Sequence, residues 1–321
     1  MSGFAALAAQ AERTVLSRSV RRLWALPGTA LGVVGDPPTV RERLFLRWHF
    51  WWQAHLLDCL VDAYLRAPDR ARADRIRRVG RTILLRNNGP LNAYHDDIAW
   101  LGLALQRSPV PIPGRRTAIR RIVARLVQGW EADGGGIAWR IGDDYRNAPA
   151  NGPAALLLAR AGVRRRAGEM TDWLFDSLQL PSGLIADGLR HGVVNAAEIY
   201  TYCQGVALGA ALAGPTGELR TARVHGLVRA IATELAPTGV LPADGTGDAG
   251  LFRGILARYL AAAARYPTGA GAAARETADL ARALVLATAA TVDPDPTHPE
   301  RDLSVHLSDW MLAEAAAILA R

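Results

Sequence analysis

The chain has 321 residues, half of them apolar and 21% charged, enough to bury a large core and incompatible with wholesale disorder. No apolar stretch reaches the roughly 18 residues of a transmembrane helix, and the N-terminus has no basic region leading an apolar core, so a soluble, cytoplasmic protein is expected. The formal charge is +8 and every one of the 38 basic residues is arginine. The densest runs, Arg70 to Arg81, Arg115 to Arg125 and Arg164 to Arg166, are not interleaved with aromatics as a nucleic-acid stacking platform requires. They read as solvated outer helix faces, and no nucleic-acid partner is expected.

In chain order, period-3.6 patterns mark twelve helices: 3–23, 42–66, 71–86, 95–107, 116–129, 146–161, 165–178, 195–213, 218–235, 249–264, 272–290 and 304–320. Strand-like alternation is almost absent. Turn chemistry separates the segments at Pro37-Pro38, Asn87 to Pro90, Pro111 to Gly114, Gly134 to Gly136, Pro181 to Gly183 and Pro294 to Pro299. Asp96 and Asp144 stand where helix caps are expected. Twelve helices without a fixed sequence period or a linker suit one domain over 1–321, either two bundles or six hairpins closed into a toroid. Apolar residues on more than one face, as in Ala196 to Leu212, suit the inner ring of a double-layered α/α barrel. Cys59 and Cys203 sit inside helical patterns and read as buried free thiols.

Three clusters could carry chemistry. In Asn92-Ala93-Tyr94-His95-Asp96-Asp97-Ile98-Ala99-Trp100 two successive carboxylates stand at a helix start among aromatics and an amide. Retaining glycoside hydrolysis needs two close carboxyls, one nucleophilic and one acidic. The helix dipole favours an ionised carboxylate and an aromatic wall favours a protonated one. The same pair also serves as a cap with a dipole-complementing charge. Next, Gly134-Gly135-Gly136-Ile137-Ala138-Trp139 precedes Tyr145 to Asn151. No phosphate-binding lysine motif follows, so the glycines read as a loop delivering Trp139. Asn147 and Asn151, four apart, share a helix face, and indole with amides is the chemistry of sugar recognition, or of a buried Trp with capping amides. Third, Asp187-Gly188 precedes Thr201-Tyr202-Cys203-Gln204-Gly205, where Tyr202 and Gln204 need polar partners inside an apolar helix. The seven histidines show no HExxH spacing and there is no Gly-x-Ser-x-Gly elbow.

In this order the clusters resemble glycoside hydrolase family 76, the endo-α-1,6-mannanases. Trp48 to Tyr64 is similar to the family's Trp-Trp helix, Tyr94 to Trp100 to its Asp-Asp motif, and Gly134 to Trp139 to its Gly-Gly-Gly-x-x-Trp segment. Tyr145 to Asn151, Asp187-Gly188, Thr201 to Gly205 and Phe252 to Leu260 resemble four further family stretches. The resemblance implies an (α/α)6 barrel, an α-mannan, mannooligosaccharide or mannosylated-lipid substrate, a monomer and no cofactor or metal. It implies that Asp96 is the nucleophile and Asp97 the general acid/base of a retaining endo-α-1,6-mannosidase. Asn92, Tyr94, Trp100, Trp139, Asn147, Asn151, Asp187, Tyr202 and Gln204 would then contact sugar. A transglycosylase using the same donors, or a non-catalytic mannan- or glycolipid-binding protein, would carry the same motifs. Ala138, Pro149 and Cys203 depart from the family pattern, and Ser304 to Trp310 matches it poorly. The basic surface suggests peripheral contact with anionic membranes.

Overall fold

The computed structural model of the chain describes residues 3–265, 271–293 and 301–321. The expected turn at Pro294 to Pro299 lies outside the described residues. Twelve long helices are present: α1 (Gly3–Arg18), α3 (Phe50–Arg66), α4 (Arg70–Arg86), α5 (His95–Arg107), α6 (Arg115–Gln128), α7 (Ala148–Arg160), α8 (Arg164–Leu178), α9 (Thr201–Ala213), α10 (Glu218–Ala230), α11 (Phe252–Arg265), α12 (Ala272–Ala289) and α13 (Leu303–Leu319), with a one-turn helix α2 (Val40–Arg43) between the first two. Five strands of two or three residues join them: β1 (Val20–Arg21) pairs with β2 (Leu31–Gly32), and β3 (Arg146–Asn147), β4 (Gly188–Arg190) and β5 (Val193–Val194) form one antiparallel sheet. Strands this short leave no alternation for a sequence pattern to register.

The order of packing is that of a closed ring. Helix α3 packs on α5, α5 on α7, α7 on α9, α9 on α11, α11 on α13, and α13 returns to α3. Around it, α1 covers α13, α4 covers α3, α6 covers α5, α8 covers α7, α10 covers α9 and α12 covers α11. This is the (α/α)6 toroid expected from the sequence. Composition sorts the layers. Inner helix α13 buries all but two of its positions, polar Ser304, His306, Asp309 and Glu314 among them. Outer α4, the arginine-rich segment, buries only Ala73, Ile76, Val79, Gly80, Thr82 and Ile83, so its arginines face outward. The ring is tight where glycine permits it. A Cβ on Gly205 would lie 2.9 Å from the Leu256 Cα, so α9 and α11 meet backbone to backbone there.

Several helix starts differ from the sequence expectation. Helix α1 stops at Arg18, and the segment 44–49 is not helical: Phe45 (φ 53°) and His49 (φ 43°) are left-handed, which ends α2 and delays α3 to Phe50. α2 itself is held by a capping box between Thr39 and Glu42. Helix α9 begins at Thr201 rather than 195, and α10 widens into a π turn at Ile231–Leu235. Asp96 lies within the first turn of α5, whose N-cap position is Tyr94. Asp144 caps nothing and pairs with Arg190 and His191 instead. The N-cap of α7 is Asn147, accepting from the Ala150 amide at 3.1 Å.

The inner helices share one polarity. Phe50, Asp96, Asn147, Tyr202 and Phe252, all at inner-helix N-termini, converge on one mouth of the ring. Arg107, Arg160, Arg265 and Ile318, from the C-terminal turns, line a cavity of about 200 Å³ at the other mouth. There Arg107 and Arg258 each bridge Asp58 and Asp62, tying α5 and α11 to α3. Positive charge thus sits at the negative ends of the helix dipoles, and the opposite mouth carries Asp96, Asp97, Asp187, Glu198 and Asp248. Trp100 lines both spaces and forms the partition between them. Cys59 and Cys203 are buried free thiols, and no helix is long and apolar enough to cross a membrane among the described residues.

Candidate active site

The mouth at the N-terminal ends is a cleft of about 1010 Å³. Its centre is the first turn of α5, and the glycine-rich loop fixes that turn. Gly134, Gly135 and Gly136 are all left-handed (φ 78°, 67° and 79°), a run that side-chain-bearing residues adopt only with strain. A Cβ on Gly136 would also lie 2.7 Å from the Trp173 ring. The loop then runs beside α5: the His95 amide donates to the Trp139 carbonyl (2.9 Å), the Ile141 amide to Ala93 (2.9 Å), and His95 Nδ1 to the Ala138 carbonyl (2.7 Å). Burial holds His95 below its ordinary pKa, which keeps the ring neutral with the proton on Nδ1. The result is that the Trp139 indole reaches Asp96 Oδ2 at 2.9 Å.

The two carboxylates meet different surroundings. Asp96 accepts from the Trp139 indole and, through Oδ1, from the Asp97 amide at 2.8 Å. Burial pushes its pKa up to about 6, and these donors restrain the rise. Asp97 accepts one hydrogen bond, from Asn92 Nδ2 at 2.5 Å, while Asn92 Oδ1 takes the Tyr94 amide at 2.9 Å. Burial and then the charge of Asp96 push Asp97 well above the carboxylate range. Both shifts are raised further by a third acid, Asp248. The pair therefore loses its first proton from Asp96 and keeps the second on Asp97.

Asp187 gathers donors from two elements. Tyr145 donates to Oδ2, and Tyr202 (3.1 Å) and the Cys203 thiol (3.2 Å) donate to Oδ1. Burial first, then the neighbouring carboxylate, pushes the Tyr145 phenol up, and the Tyr202 phenol and Cys203 thiol also rise with burial, so all three keep their protons. Tyr202 stacks on Phe252 with ring centres 3.6 Å apart. Across the cleft, Asp248 accepts from the indoles of Trp51 (3.0 Å) and Trp52 (2.7 Å) and lies 3.6 Å from His49 Nδ1. Burial raises Asp248, but His49 and the indoles outweigh it and hold the carboxyl below its ordinary range.

Of the expected site residues, Asp96, Asp97, Tyr94, Trp100, Trp139, Asn147, Asp187 and Tyr202 line the cleft. Three do not. Asn92 stands behind Asp97 as its hydrogen-bond donor. Asn151 is fully buried and clamps the loop, accepting from the Ile137 amide (2.8 Å) and donating to the Ile137 (3.0 Å) and Asn147 (2.9 Å) carbonyls. Gln204 does the same for Ile185, with 2.8 Å bonds to its amide and carbonyl. These two amides hold the cleft wall from behind and are not part of its lining. Sequence reasoning missed His49, Trp51, Arg190, Glu198, Tyr200 and Asp248 in the lining. The Trp-Trp pair at Trp51 and the Phe252 segment pointed to the region, but nothing local distinguishes Asp248 from a solvated loop acid.

Pro149 occupies the first turn of α7, where no intrahelical N–H is needed, and Ala138 supplies only its carbonyl to His95. Neither departure disturbs the acid pair. Among the described residues no group of three or more His, Cys, Asp and Glu is arranged to hold a metal ion.

The model for glycosyl hydrolase family 76 matches residues 10–293, so α13 lies beyond the matched segment. Among solved structures the chain is similar to an inactive variant of the α-1,6-mannanase GH76A of Salegentibacter sp. HEL1_6, two successive aspartates of which are changed to asparagine, in complex with α-1,6-mannotriose. The identity is 27% over 98% of this chain and 99% of that one, with a TM-score of 0.85. A variant of the same enzyme with both aspartates changed to alanine, in complex with α-1,6-mannotetrose, matches at 27% identity, 99% and 100% coverage and TM-score 0.86. The Lin0763 protein of Listeria innocua shares the fold at 22% identity, 99% and 97% coverage and TM-score 0.82. No curated protein matches the chain.

Proposed function

The chain belongs to glycosyl hydrolase family 76, and we propose that this glycosidase cleaves internal α-1,6-mannosidic bonds of mannan with retention, Asp96 acting as nucleophile and Asp97 as general acid/base. One observation carries the assignment: two successive carboxylates in the cleft, of which Asp96 has the donors that stabilise a charge and Asp97 the burial and neighbouring charge that keep a proton. The solved α-1,6-mannanase complexes, inactive when two successive aspartates are replaced, support the same reading.

In the first step an Asp96 carboxylate oxygen bonds to the anomeric carbon as the glycosidic C–O bond breaks. The Asp97 proton passes to the departing oxygen. Asp97, now a carboxylate, takes a proton from water, whose oxygen displaces Asp96 from the anomeric carbon and restores both groups. The Trp139 N–H on Asp96 positions the nucleophile and weakens as its charge is used. Tyr94 and Trp139, with ring centres 5.0 Å apart, offer apolar faces for sugar C–H groups. Asp187, Asn147 and Asp248 offer polar ones to hydroxyls.

Incubation with linear α-1,6-mannan, followed by product sizing and by proton NMR of the newly formed reducing ends, tests this. Oligomers whose ends appear first in the α configuration are expected. A β anomer formed first overturns the nucleophile assignment, and release of mannose alone overturns the endo mode. Products longer than the donor identify a transglycosylase, and binding without turnover a lectin-like protein.

A further inference from the structure

Ten large apolar side chains are exposed among the described residues, and six of them, Trp24, Leu26, Val40, Leu44, Leu46 and Leu85, fall in one region. Direct contacts join the three segments that carry them. The Trp24 indole donates to the Leu44 carbonyl at 2.7 Å. The Arg86 guanidinium lies over the rings of Trp24 (5.7 Å) and Trp48 (5.1 Å) and donates to the Phe45 carbonyl at 2.9 Å. The Leu46 amide closes back on the Arg41 carbonyl at 2.8 Å. Water has been left against an indole that is 52% exposed and a valine that is 70% exposed, which is a mark of an interaction surface when such residues adjoin.

The charge around them has one sign. Arg22, Arg41, Arg43, Arg47 and Arg81 are exposed beside these residues. The only acids between residues 20 and 48 are Asp36, paired with Arg18 at 2.5 Å, and Glu42, which is buried in its capping box and pairs with Arg47 at 3.5 Å. The backbone is also held in an unfavourable shape. Trp24 (φ 46°), Ala25 (φ 59°), Phe45 (φ 53°) and His49 (φ 43°) are four of the six left-handed residues other than glycine among the described residues. Such conformations cluster where a surface is built for use. The region finally runs into the cleft: Arg47 Nε lies 3.2 Å from His49 Nε2, and His49, Phe50 and Trp51 line the cleft mouth.

We propose that this patch docks the protein on the surface of an anionic lipid bilayer, with the indole and leucines entering the headgroup boundary and the arginines meeting lipid phosphates. Aromatic and aliphatic tips mixed with arginine are what that boundary binds, whereas the outer helices α6 and α8 carry arginine with no large apolar side chain exposed. Resting on the mannosidase reading, the substrate presented to the cleft is a mannosyl chain attached to a membrane lipid. The docking itself is independent of catalysis.

Flotation of the full chain with vesicles tests the proposal. Binding to vesicles of equimolar phosphatidylglycerol and phosphatidylcholine is expected at low salt, with a weaker, apolar remainder at high salt and little binding to phosphatidylcholine alone. Replacing Arg41 and Arg43 by Gln lowers the affinity about thirtyfold, and Leu26→Ser with Leu46→Ser abolishes the salt-resistant remainder. Circular dichroism melting reports whether each variant is folded, and none of the four residues belongs to the cleft. Absence of wild-type flotation with the anionic vesicles, or folded variants that float like wild type, overturns the proposal. So does a concentration-dependent dimer that Leu46→Ser dissociates, which would make a second copy the occupant.

Discussion

Replacing Asp96 by Asn is expected both to stop hydrolysis and to stabilise the fold in a pH-dependent way. An ordinary aspartate ionises near 3.8 and Asp96 near 6, so ionising it in the folded protein costs about 3 kcal/mol more than in the unfolded chain. Because Asp96 is only partly shielded from solvent, about 2 kcal/mol is the better figure. The sign follows from proton counting. Between roughly pH 4 and 6 the folded state holds a proton that the unfolded state has released, so wild-type stability falls as pH rises through that window and stays lower above it. The amide has no charge to bury and escapes this loss. It can keep the Asp97 N–H on its oxygen, but its NH2 group opposes the Trp139 N–H, a pH-independent cost of about 1 kcal/mol. The variant should therefore be slightly less stable than wild type at pH 4 and about 1 kcal/mol more stable at pH 8. Urea unfolding of both proteins at several pH values measures the difference, and mannan hydrolysis measures the chemistry. A stability difference that does not change between pH 4 and pH 8 would refute the electrostatic account of the pair, whatever happens to the rate.

Asp97→Asn should lower mannan cleavage by about 10²- to 10⁴-fold, while an aryl α-mannoside whose leaving group needs no proton still releases its phenol in a burst; equal loss on both substrates would remove Asp97 from the acid role. The rate of the wild type should rise with pH through about 6 as Asp96 ionises and fall at higher pH as Asp97 loses its proton. Asp248→Asn, removing a charge that raises both groups, should move the acidic limb to lower pH, which a pH–kcat/KM profile detects. Asn151→Ala strips three buried hydrogen bonds from the glycine-rich loop and should cost about 3 kcal/mol in urea unfolding. Gly102→Ala would set a Cβ 2.4 Å from Leu157 Cδ2 and should destabilise by about 1–3 kcal/mol, with Leu157→Ala in the same chain recovering part of it.

Features that depend only on neighbours along the chain are legible without the fold. The twelve long helices follow from apolar period and breakers, and the outward arginines from α4 and α6 having too few apolar positions to bury more than a stripe. The acid pair and the triple glycine are equally local, since consecutive carboxylates at a helix start and three successive left-handed residues need no distant partner to be recognised. Ring closure is different: that α13 returns to α3 depends on the summed rotation of six hairpins. Polar side chains inside apolar helices also depend on partners far away in the chain. Asn151 and Gln204 have the chemistry of sugar ligands, yet each finds its partners in the backbone of an adjoining loop, because a buried amide must satisfy itself wherever the packing brings a strand edge. Asp248, 151 positions beyond Asp97, enters the same electrostatic field only because α3 and the turn before α11 meet at one mouth. The period of a sequence sets which face of a helix is buried; which charge stands opposite that face is decided by the closed ring.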